Sequence, residues 1–212
     1  MGYKIYHHQN NNDNNDNNDN NNNDNNNNDK DDFLLFRNHT FDTTTEFTLN
    51  GKYLTARVID IYDGDTCTCV LNIFDNFYKF HVRLADIDTC ELRTKDEEIK
   101  VLSLLARQKL YKLITKSDID LHVSKKDMKL LLNNTVFLTN IMCGEFDKYG
   151  RLLGFLYDYD TNIKIKDKEL SYNYTLINEK VAYKYTGQTK MTELEQKSLL
   201  ENYCPVTAEF IV

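Results

Sequence analysis

The chain has 212 residues, which is room for one domain of ordinary size and a tight fit for two. Its hydrophobic fraction of 41% supplies enough apolar surface for a core, but no run approaches the roughly 18 consecutive apolar residues of a membrane span, so no membrane association is expected. The formal charge of −7 is unusual for a protein that binds polyanions. Seven Asp and one Lys between Asn10 and Asp32 account for most of it, so the remainder of the chain is close to neutral.

From the first residues of the sequence, neither an export signal nor a membrane anchor is expected. It has no hydrophobic stretch of signal-peptide length, and Tyr6 stands where an N-myristoylation motif requires Ser or Thr. The odd number of cysteines and the lack of a Cys-x-x-Cys pair argue against a disulfide framework or a zinc knuckle. Free thiols in an intracellular reducing compartment are therefore favoured, and a metal pair at Cys67 and Cys69 is the alternative. The cysteines are Cys67, Cys69, Cys90, Cys143 and Cys204.

Residues Asn10 to Asn28 contain only Asn and Asp. Such a segment has nothing to bury and cannot offset its ordering entropy, so residues 1–32 are predicted to form a disordered arm. A tolerated insertion is favoured over an interaction tail. Residues 33–51 are predicted to be a linker or leading strand, and residues 52–212 to form the folded domain.

Strand-like segments open the folded domain. Thr55 to Tyr62 is rich in β-branched and apolar residues, and Thr66 to Phe74 resumes this pattern after the break at Asp63-Gly64-Asp65, which predicts a hairpin or a bent strand pair. Tyr78 to Leu84 then alternates apolar and polar residues. Arg83 is therefore expected to project away from the core face.

One long helix is predicted next. Thr94-Lys95-Asp96-Glu97 fits a capping box, and apolar residues recur at helical spacing as far as Ile114, so the helix is expected to span roughly Lys95 to Ile114. Two strand-like runs follow, Ile119 to Val123 and Val136 to Met142, separated by Lys125 to Asn134. A small barrel needs only one of these two runs.

The last part of the chain mixes strand and helix. Leu152 to Tyr157 is a short apolar strand, Leu170 to Glu179 is a candidate helix, and Met191 to Leu200 is predicted to be a closing helix. Strands first and helices later predict an α+β fold with a mostly antiparallel sheet.

Three short segments carry residues suited to phosphodiester hydrolysis, which needs a cation clamp on the phosphoryl oxygens and activation of water. Asp63-Gly64-Asp65-Thr66 predicts a sharp turn that leaves a carboxylate exposed, although such a turn alone usually has no further role. Asp147-Lys148-Tyr149-Gly150-Arg151 places a cation directly after a glycine turn. A charged hairpin loop is the simpler interpretation of that segment alone.

The remaining segment, Arg83 to Glu91, ends a strand with three acids and one guanidinium. Asp86 and Asp88 are expected to share a face, with Glu91 three residues beyond. Oxygen ligands without His or Cys suit calcium or magnesium far better than zinc. An acidic cluster alone is usually a solvated turn, but the combination of three segments favours a site.

In order and spacing, these segments resemble the staphylococcal nuclease family: Asp-Gly-Asp-Thr, then Arg-Leu-x-x-x-Asp-Thr-x-Glu, then Asp-Lys-Tyr-Gly-Arg. The segment Lys180 to Tyr185 also looks like the tyrosine segment of that family. The resemblance covers roughly Lys52 to Leu200 and implies a five-stranded OB-type β-barrel with about three α-helices. Two departures stand out: Cys90 follows Thr89 where the family often has Pro, and the segment before Asp147 is longer.

The resemblance also implies a role for each matching residue. The expected Ca²⁺ ligands are the carboxylates of Asp65 and Asp88 and the backbone carbonyl of Thr89. The expected catalytic groups are the phosphate-binding arginines Arg83 and Arg151 and the carboxylate of Glu91, which holds the attacking water. The expected substrate contacts are one lysine and three tyrosines: Lys148, Tyr149, Tyr183 and Tyr185.

The function that the resemblance implies is a calcium-dependent endonuclease that cuts DNA and RNA, preferably single-stranded, to 3′-phosphate products with little sequence preference. The chain is expected to act as a monomer without a partner protein. One alternative is a nuclease-like module that binds nucleic acid or protein without catalysis. Another is a scaffold protein whose Asn-rich arm is the working part.

Overall fold

The computed structural model describes residues 32–159 and 167–201. The predicted disordered arm, all but its last residue, and Cys204 lie outside these ranges. The chain divides into two compact units, Met1–Phe47 and Thr48–Val212. In the described part of the first unit, residues 32–36 form a short helix, α1.

Five strands of the second unit form a closed barrel, and two further short strands pair with each other outside it. The barrel strands are β1 (Tyr53–Ile61), β2 (Thr66–Ile73), β3 (Asn76–Leu84), β5 (Leu138–Phe146) and β6 (Leu152–Asp158), and the outer pair is β4 (Ile87–Asp88) and β7 (Tyr183–Lys184). The barrel order is β1-β2-β3-β6-β5, with antiparallel neighbours except for the parallel pair β3 and β6. The predicted α+β fold with an OB-type barrel is confirmed.

Period-2 alternation explains which side chains fill the barrel. In β2, the side chains of Cys67, Cys69 and Leu71 are fully buried, and in β3 Val82 and Leu84 are buried on either side of the outward-facing Arg83, as predicted. The four described cysteines are all buried free thiols, and the sulfur atoms of Cys67 and Cys69 lie 3.7 Å apart. Small apolar thiols therefore form part of the barrel core.

Four helices and one 3₁₀ turn complete the described part of the second unit: α2 (Glu97–Thr115), α3 (Lys125–Asn134), the 3₁₀ turn (Lys168–Leu170), α4 (Tyr172–Asn178) and α5 (Glu193–Glu201). None of the helices in the described ranges is long and apolar enough to cross a bilayer.

The predicted capping box at the start of α2 is wrong. The cap is Asp96, whose carboxylate accepts hydrogen bonds from the backbone N–H groups of Glu98 and Ile99 at 2.9 and 3.1 Å. The hydroxyl of Thr94 instead accepts the N–H of Asp96 at 3.0 Å. A carboxylate at the N-cap also lies favourably in the field of the helix dipole, which explains why Asp96 takes the position.

Helix α3 was not predicted, and it settles the choice between the two strand-like runs. Ser124 caps α3 with its hydroxyl, and Met128 and Leu132, four residues apart on one face, are fully buried where α3 packs on β1. Of the two runs, the second supplies β5, whereas Ile119 to Val123 forms a turn that rests against the core. The longer segment before Asp147 is therefore a helix that covers β1.

Candidate functional site

The guanidinium of Arg83 joins two acids from different parts of the chain. Its Nη1 donates to Asp65 Oδ2 and its Nη2 to Asp88 Oδ1, both at 2.7 Å. The three side chains are 12%, 4% and 1% exposed, respectively. The fork geometry of a guanidinium suits two carboxylates at once, so Arg83 holds the turn before β2 and the strand β4 together.

The Asp63-Gly64-Asp65 turn places Asp65 here because only glycine fits at its centre. A Cβ on Gly64 would lie 2.4 Å from the Cβ of Ala106 on α2 and 2.9 Å from Cγ2 of Thr89. The carboxylate of Asp63 accepts the N–H of Asp65 at 3.1 Å, which fixes the turn. Close packing therefore brings this turn against the Asp88-Thr89 segment. It also buries Asp63 and Asp65, which are 9% and 3% exposed, so the prediction that the turn leaves a carboxylate exposed is wrong.

Asp88 is held by strand pairing as well as by Arg83. It lies opposite Tyr183 in the β4–β7 pair, and the hydroxyl of Tyr183 donates to Asp88 Oδ2. Tyr183 is consequently buried. The structure therefore places Tyr183 on Asp88, whereas Tyr185, two residues later, is half-exposed with the Arg83 guanidinium 5.9 Å from its ring centroid.

The expectation that Asp86 and Asp88 share a face is wrong. Asp86 has a φ of 63°, a left-handed conformation that interrupts the strand alternation. Its carboxylate lies 2.9 Å from Lys168 Nζ, whereas Asp88 is fully buried at Arg83. Only one of these two acids therefore belongs to the cluster.

Negative charge exceeds what Arg83 neutralises. Burial and the neighbouring charges of Asp63 and Asp88 raise the pKa of Asp65 to about 8, even with Arg83 in contact. Burial also raises the pKa of Asp63. A further positive charge beside these carboxylates is therefore favourable.

Lys190 supplies part of that charge. Its Nζ lies 3.1 Å from Asp88 Oδ1 and 2.8 Å from Glu91 Oε1, so the two acids converge on one cation. Although burial opposes it, hydrogen bonds from Tyr183 and Arg83 and the charge of Lys190 lower the pKa of Asp88. Glu91 itself is 58% exposed, which leaves its other carboxylate oxygen accessible to solvent.

This cluster suits a hard cation in its chemistry. Asp65, Asp88 and Glu91 offer only oxygen ligands. The ammonium of Lys190 forms ion pairs with Asp88 and Glu91 and so already places one positive charge beside them. No group of three or more His, Cys, Asp or Glu side chains within the described ranges is arranged to hold a metal ion. The expected calcium ligands are only two carboxylates and one carbonyl, so water would complete the coordination of an ion bound here.

Arg151 is held by its own loop. The Asp147 carboxylate accepts the N–H groups of Tyr149 and Arg151, both at 2.9 Å, and the side-chain Nε of Arg151 at 2.7 Å. Gly150 has a φ of 77°, which closes this turn without strain. The local sequence Asp-Lys-Tyr-Gly-Arg is therefore sufficient to orient the guanidinium.

Pairing of β3 with β6 places Arg151 on the same outer face as Arg83. The buried residues Val82 and Leu152 are partners in register, so Arg151, one residue before Leu152, lies beside His81. His81 and Arg83 are two apart on β3 and point the same way. The two arginines are therefore displaced by one strand and two residues, roughly 7 Å along the strand direction.

A cleft of about 410 Å³ opens on this face, lined by residues of β1, β2 and β3, by Tyr62 directly after β1, and by Tyr149 and Arg151. Tyr149 is 73% exposed, with Lys148 Nζ 5.1 Å and the Arg151 guanidinium 5.6 Å from its ring centroid. Lys148, Tyr149 and Arg151 thus form one exposed cationic and aromatic edge beside the cleft.

Two residues important to this arrangement were not identified from the sequence. Lys190 lies in a polar loop with no motif around it. Asn173 is fully buried and ties the turn before β4 to β6, since its amide donates to the carbonyls of Ala85 and Gly154 at 2.8 and 3.0 Å. A polar residue within the apolar spacing of a predicted helix is the one signal that could have pointed to Asn173.

No protein-family model matches the chain, and no curated protein matches it significantly. The arrangement of side chains is therefore the basis for assigning a function.

Proposed function

We propose that this protein is a calcium-dependent endonuclease of the staphylococcal-nuclease type, which hydrolyses phosphodiester bonds in DNA and RNA. The observation that carries this proposal is that two guanidinium groups, those of Arg83 and Arg151, lie on the same outer face of the barrel. Arg83 is fixed by Asp65 and Asp88, and Arg151 is fixed by Asp147. The order and spacing of these residues also resemble the motifs of that family.

Two arginines on one face form a receptor for a phosphodiester. A guanidinium donates two parallel hydrogen bonds to phosphate oxygens, and its positive charge stabilises the extra negative charge of the pentacoordinate transition state. Arg151 is 30% exposed and Arg83 is 12% exposed, so both remain within reach of a ligand on the surface. Lys148 and Tyr149 extend the same edge and suit a neighbouring phosphate.

Glu91 is the group proposed to act on water. Its exposed carboxylate accepts a proton from the attacking water as the oxygen bonds to phosphorus on the side opposite the 5′ oxygen. The P–O5′ bond breaks, the 5′ oxygen takes a proton from solvent, and the phosphate stays on the 3′ side. Lys190 competes with the attacking water for Glu91, because its Nζ lies 2.8 Å from Glu91 Oε1.

Calcium would be held by the carboxylates of Asp65 and Asp88 and by the carbonyl of Thr89, and when bound it supplies positive charge to the phosphate and to the attacking water. Tyr183 and Arg83 keep Asp88 ionised and oriented for that task. The site is formed by groups that address phosphate and not base edges, so DNA and RNA are both expected substrates.

Cleavage of end-labelled single-stranded DNA by the purified protein, with calcium or with a chelator, tests the proposal. We expect cleavage only with calcium and products that carry a 3′-phosphate. Glu91→Gln should slow cleavage by about 10²- to 10⁴-fold, because the amide accepts no proton. The matched control is Glu145→Gln, since Glu145 is exposed and contacts Asn50 away from the site. Wild-type protein without calcium-dependent cleavage would contradict the proposal.

A binding module without catalysis is the second candidate, favoured by one observation. The ammonium of Lys190 forms ion pairs with Asp88 and Glu91, and the proposed reaction needs both carboxylates. Single-stranded DNA that binds tightly but stays intact with calcium, in the wild type and in Lys190→Ala, would favour this candidate.

A further inference from the structure

The cleft beside Arg151 contains an acid that the proposed reaction does not use. Asp60 lines the cleft together with Tyr62, His81 and Tyr149. It is half-buried, and within residues 32–159 and 167–201 its carboxylate makes neither a hydrogen bond nor an ion pair. An unpaired carboxylate in a cleft is suited to accept hydrogen bonds from a ligand.

A β-bulge fixes the position of Asp60. The β1–β2 register shifts between Val58 and Asp60, which leaves Ile59 as the extra residue. The carbonyl of Ile59 accepts a hydrogen bond at 2.9 Å from the side-chain amide of Asn133 at the end of α3. Bulges redirect the side chains that follow them, so α3 helps to set where Asp60 points.

The other walls suit a flat ring. Tyr149 is 73% exposed, and an exposed aromatic ring of this kind stacks on nucleic-acid bases. Tyr62 is 37% exposed and has Lys125 Nζ 3.6 Å from its ring centroid, so Lys125 covers one face of this ring. His81, another lining residue, is exposed, and its Nδ1 lies 3.3 Å from the Thr68 hydroxyl, which leaves the second ring nitrogen of His81 for a ligand. The volume of about 410 Å³ is in the range of cavities that hold one small ligand.

We propose that this cleft is a base-binding subsite that selects guanine, for a nucleotide next to the phosphate held by Arg151. A carboxylate only accepts hydrogen bonds, and guanine alone presents two adjacent N–H donors, from N1 and the 2-amino group, on its Watson–Crick edge. Adenine and cytosine present one amino group beside an acceptor. Uracil and thymine present one N–H between two carbonyls, which the carboxylate repels. This inference rests on the proposed nuclease function, to which it adds base preference.

Calorimetric titration of the full chain with GMP, IMP and UMP, in the presence of a chelator, tests the subsite without cleavage. We expect GMP to bind about tenfold more tightly than IMP, which lacks the 2-amino group, and more tightly still than UMP. In Asp60→Asn the difference between GMP and IMP should vanish, because an amide cannot accept both donors. Asp75→Asn, an exposed change in the β2–β3 turn, should keep the wild-type ranking.

The outcomes separate this inference from the proposed function. Equal affinities of GMP and IMP for the wild type, or no nucleotide binding, would overturn the subsite, and so would a guanine preference that survives in a folded Asp60→Asn variant. If that variant fails to fold, the wild-type comparison of GMP with IMP decides alone. Calcium-dependent cleavage without guanine preference would overturn only the proposed subsite. Guanine preference without cleavage would overturn only the proposed nuclease function.

Discussion

The two arginines on the outer face of the barrel are held in opposite ways. Arg83 is nearly buried and is fixed by Asp65 and Asp88, which come from a turn and from a separate short strand. Arg151 is 30% exposed and is fixed by Asp147, four residues away in the same loop. The Arg83 guanidinium thus connects segments that are distant in sequence, whereas the ion pair of the Arg151 guanidinium lies within its own turn. Removing each of them should therefore affect stability and activity in different proportions.

The largest effect is expected for Arg83→Ala. Loss of the guanidinium leaves Asp65 and Asp88 buried without their main partner, which should cost about 3–5 kcal/mol in the free energy of unfolding. Cleavage should fall by at least about 10³-fold, because the phosphate loses one of its two clamps. Urea denaturation and a cleavage assay on the folded fraction measure the two effects.

Arg83→Lys is the matched control, because it keeps the charge and loses the fork. We expect stability between those of the wild type and Arg83→Ala, with activity still low. If Arg83→Ala unfolds at the same urea concentration as the wild type, the buried pairs do not hold the fold together.

Arg151→Ala should lower cleavage by about 10³-fold but change the free energy of unfolding by less than about 1 kcal/mol. Its salt bridge is local, and the Asp147 carboxylate, 15% exposed, keeps the backbone N–H groups of Tyr149 and Arg151 as donors after the guanidinium is removed. The same two assays give the comparison with Arg83. A loss of stability equal to that of Arg83→Ala would remove the distinction between the two arginines.

Asp147→Ala should lower cleavage by about tenfold, an effect that acts through the position of Arg151. The substitution removes three hydrogen bonds that orient the loop, including the one to Arg151 Nε. Asp147→Asn keeps one carbonyl acceptor for the backbone N–H groups and should retain more activity. The measurement is the ratio of the cleavage rates of Asp147→Ala and Asp147→Asn. Equal rates of these two variants would show that the loop does not position Arg151.

The smallest effect is expected for Lys190→Ala, which removes a cation that competes for Asp88 and Glu91. The calcium concentration for half-maximal cleavage should fall by about two- to fivefold, with little change in stability. Lys184→Ala is the control, since Lys184 is an exposed lysine nearby on β7 that contacts the Tyr174 ring and neither acid. An identical shift in both variants would indicate a general charge effect and not a specific competition.

The same contrast separates what the sequence predicts from what it does not. The outward direction of Arg83 follows from strict alternation along β3, and the fold class follows from the order of strands and helices. The partners of Arg83 depend on pairing between distant segments, which no local pattern encodes. The helix α3 was missed because the consecutive leucines Leu130 to Leu132 obscure the helical period. Leu130 and Leu131 are 56% and 43% exposed, and only Met128 and Leu132 are buried, where α3 packs on β1. Asp96 displaced Thr94 as the helix cap because its carboxylate has the stronger interaction with the helix N-terminus.

The parallel pairing of β3 with β6 has a consequence for how activity emerges during synthesis and folding. Two helices and the strands β4 and β5 separate these strands along the chain, so their pairing closes a long loop and carries an entropic cost. A ribosome-bound nascent chain that has completed the first hairpins holds Arg83 but not its companion guanidinium. The proposed nuclease activity should therefore appear only after the last barrel strand is in place.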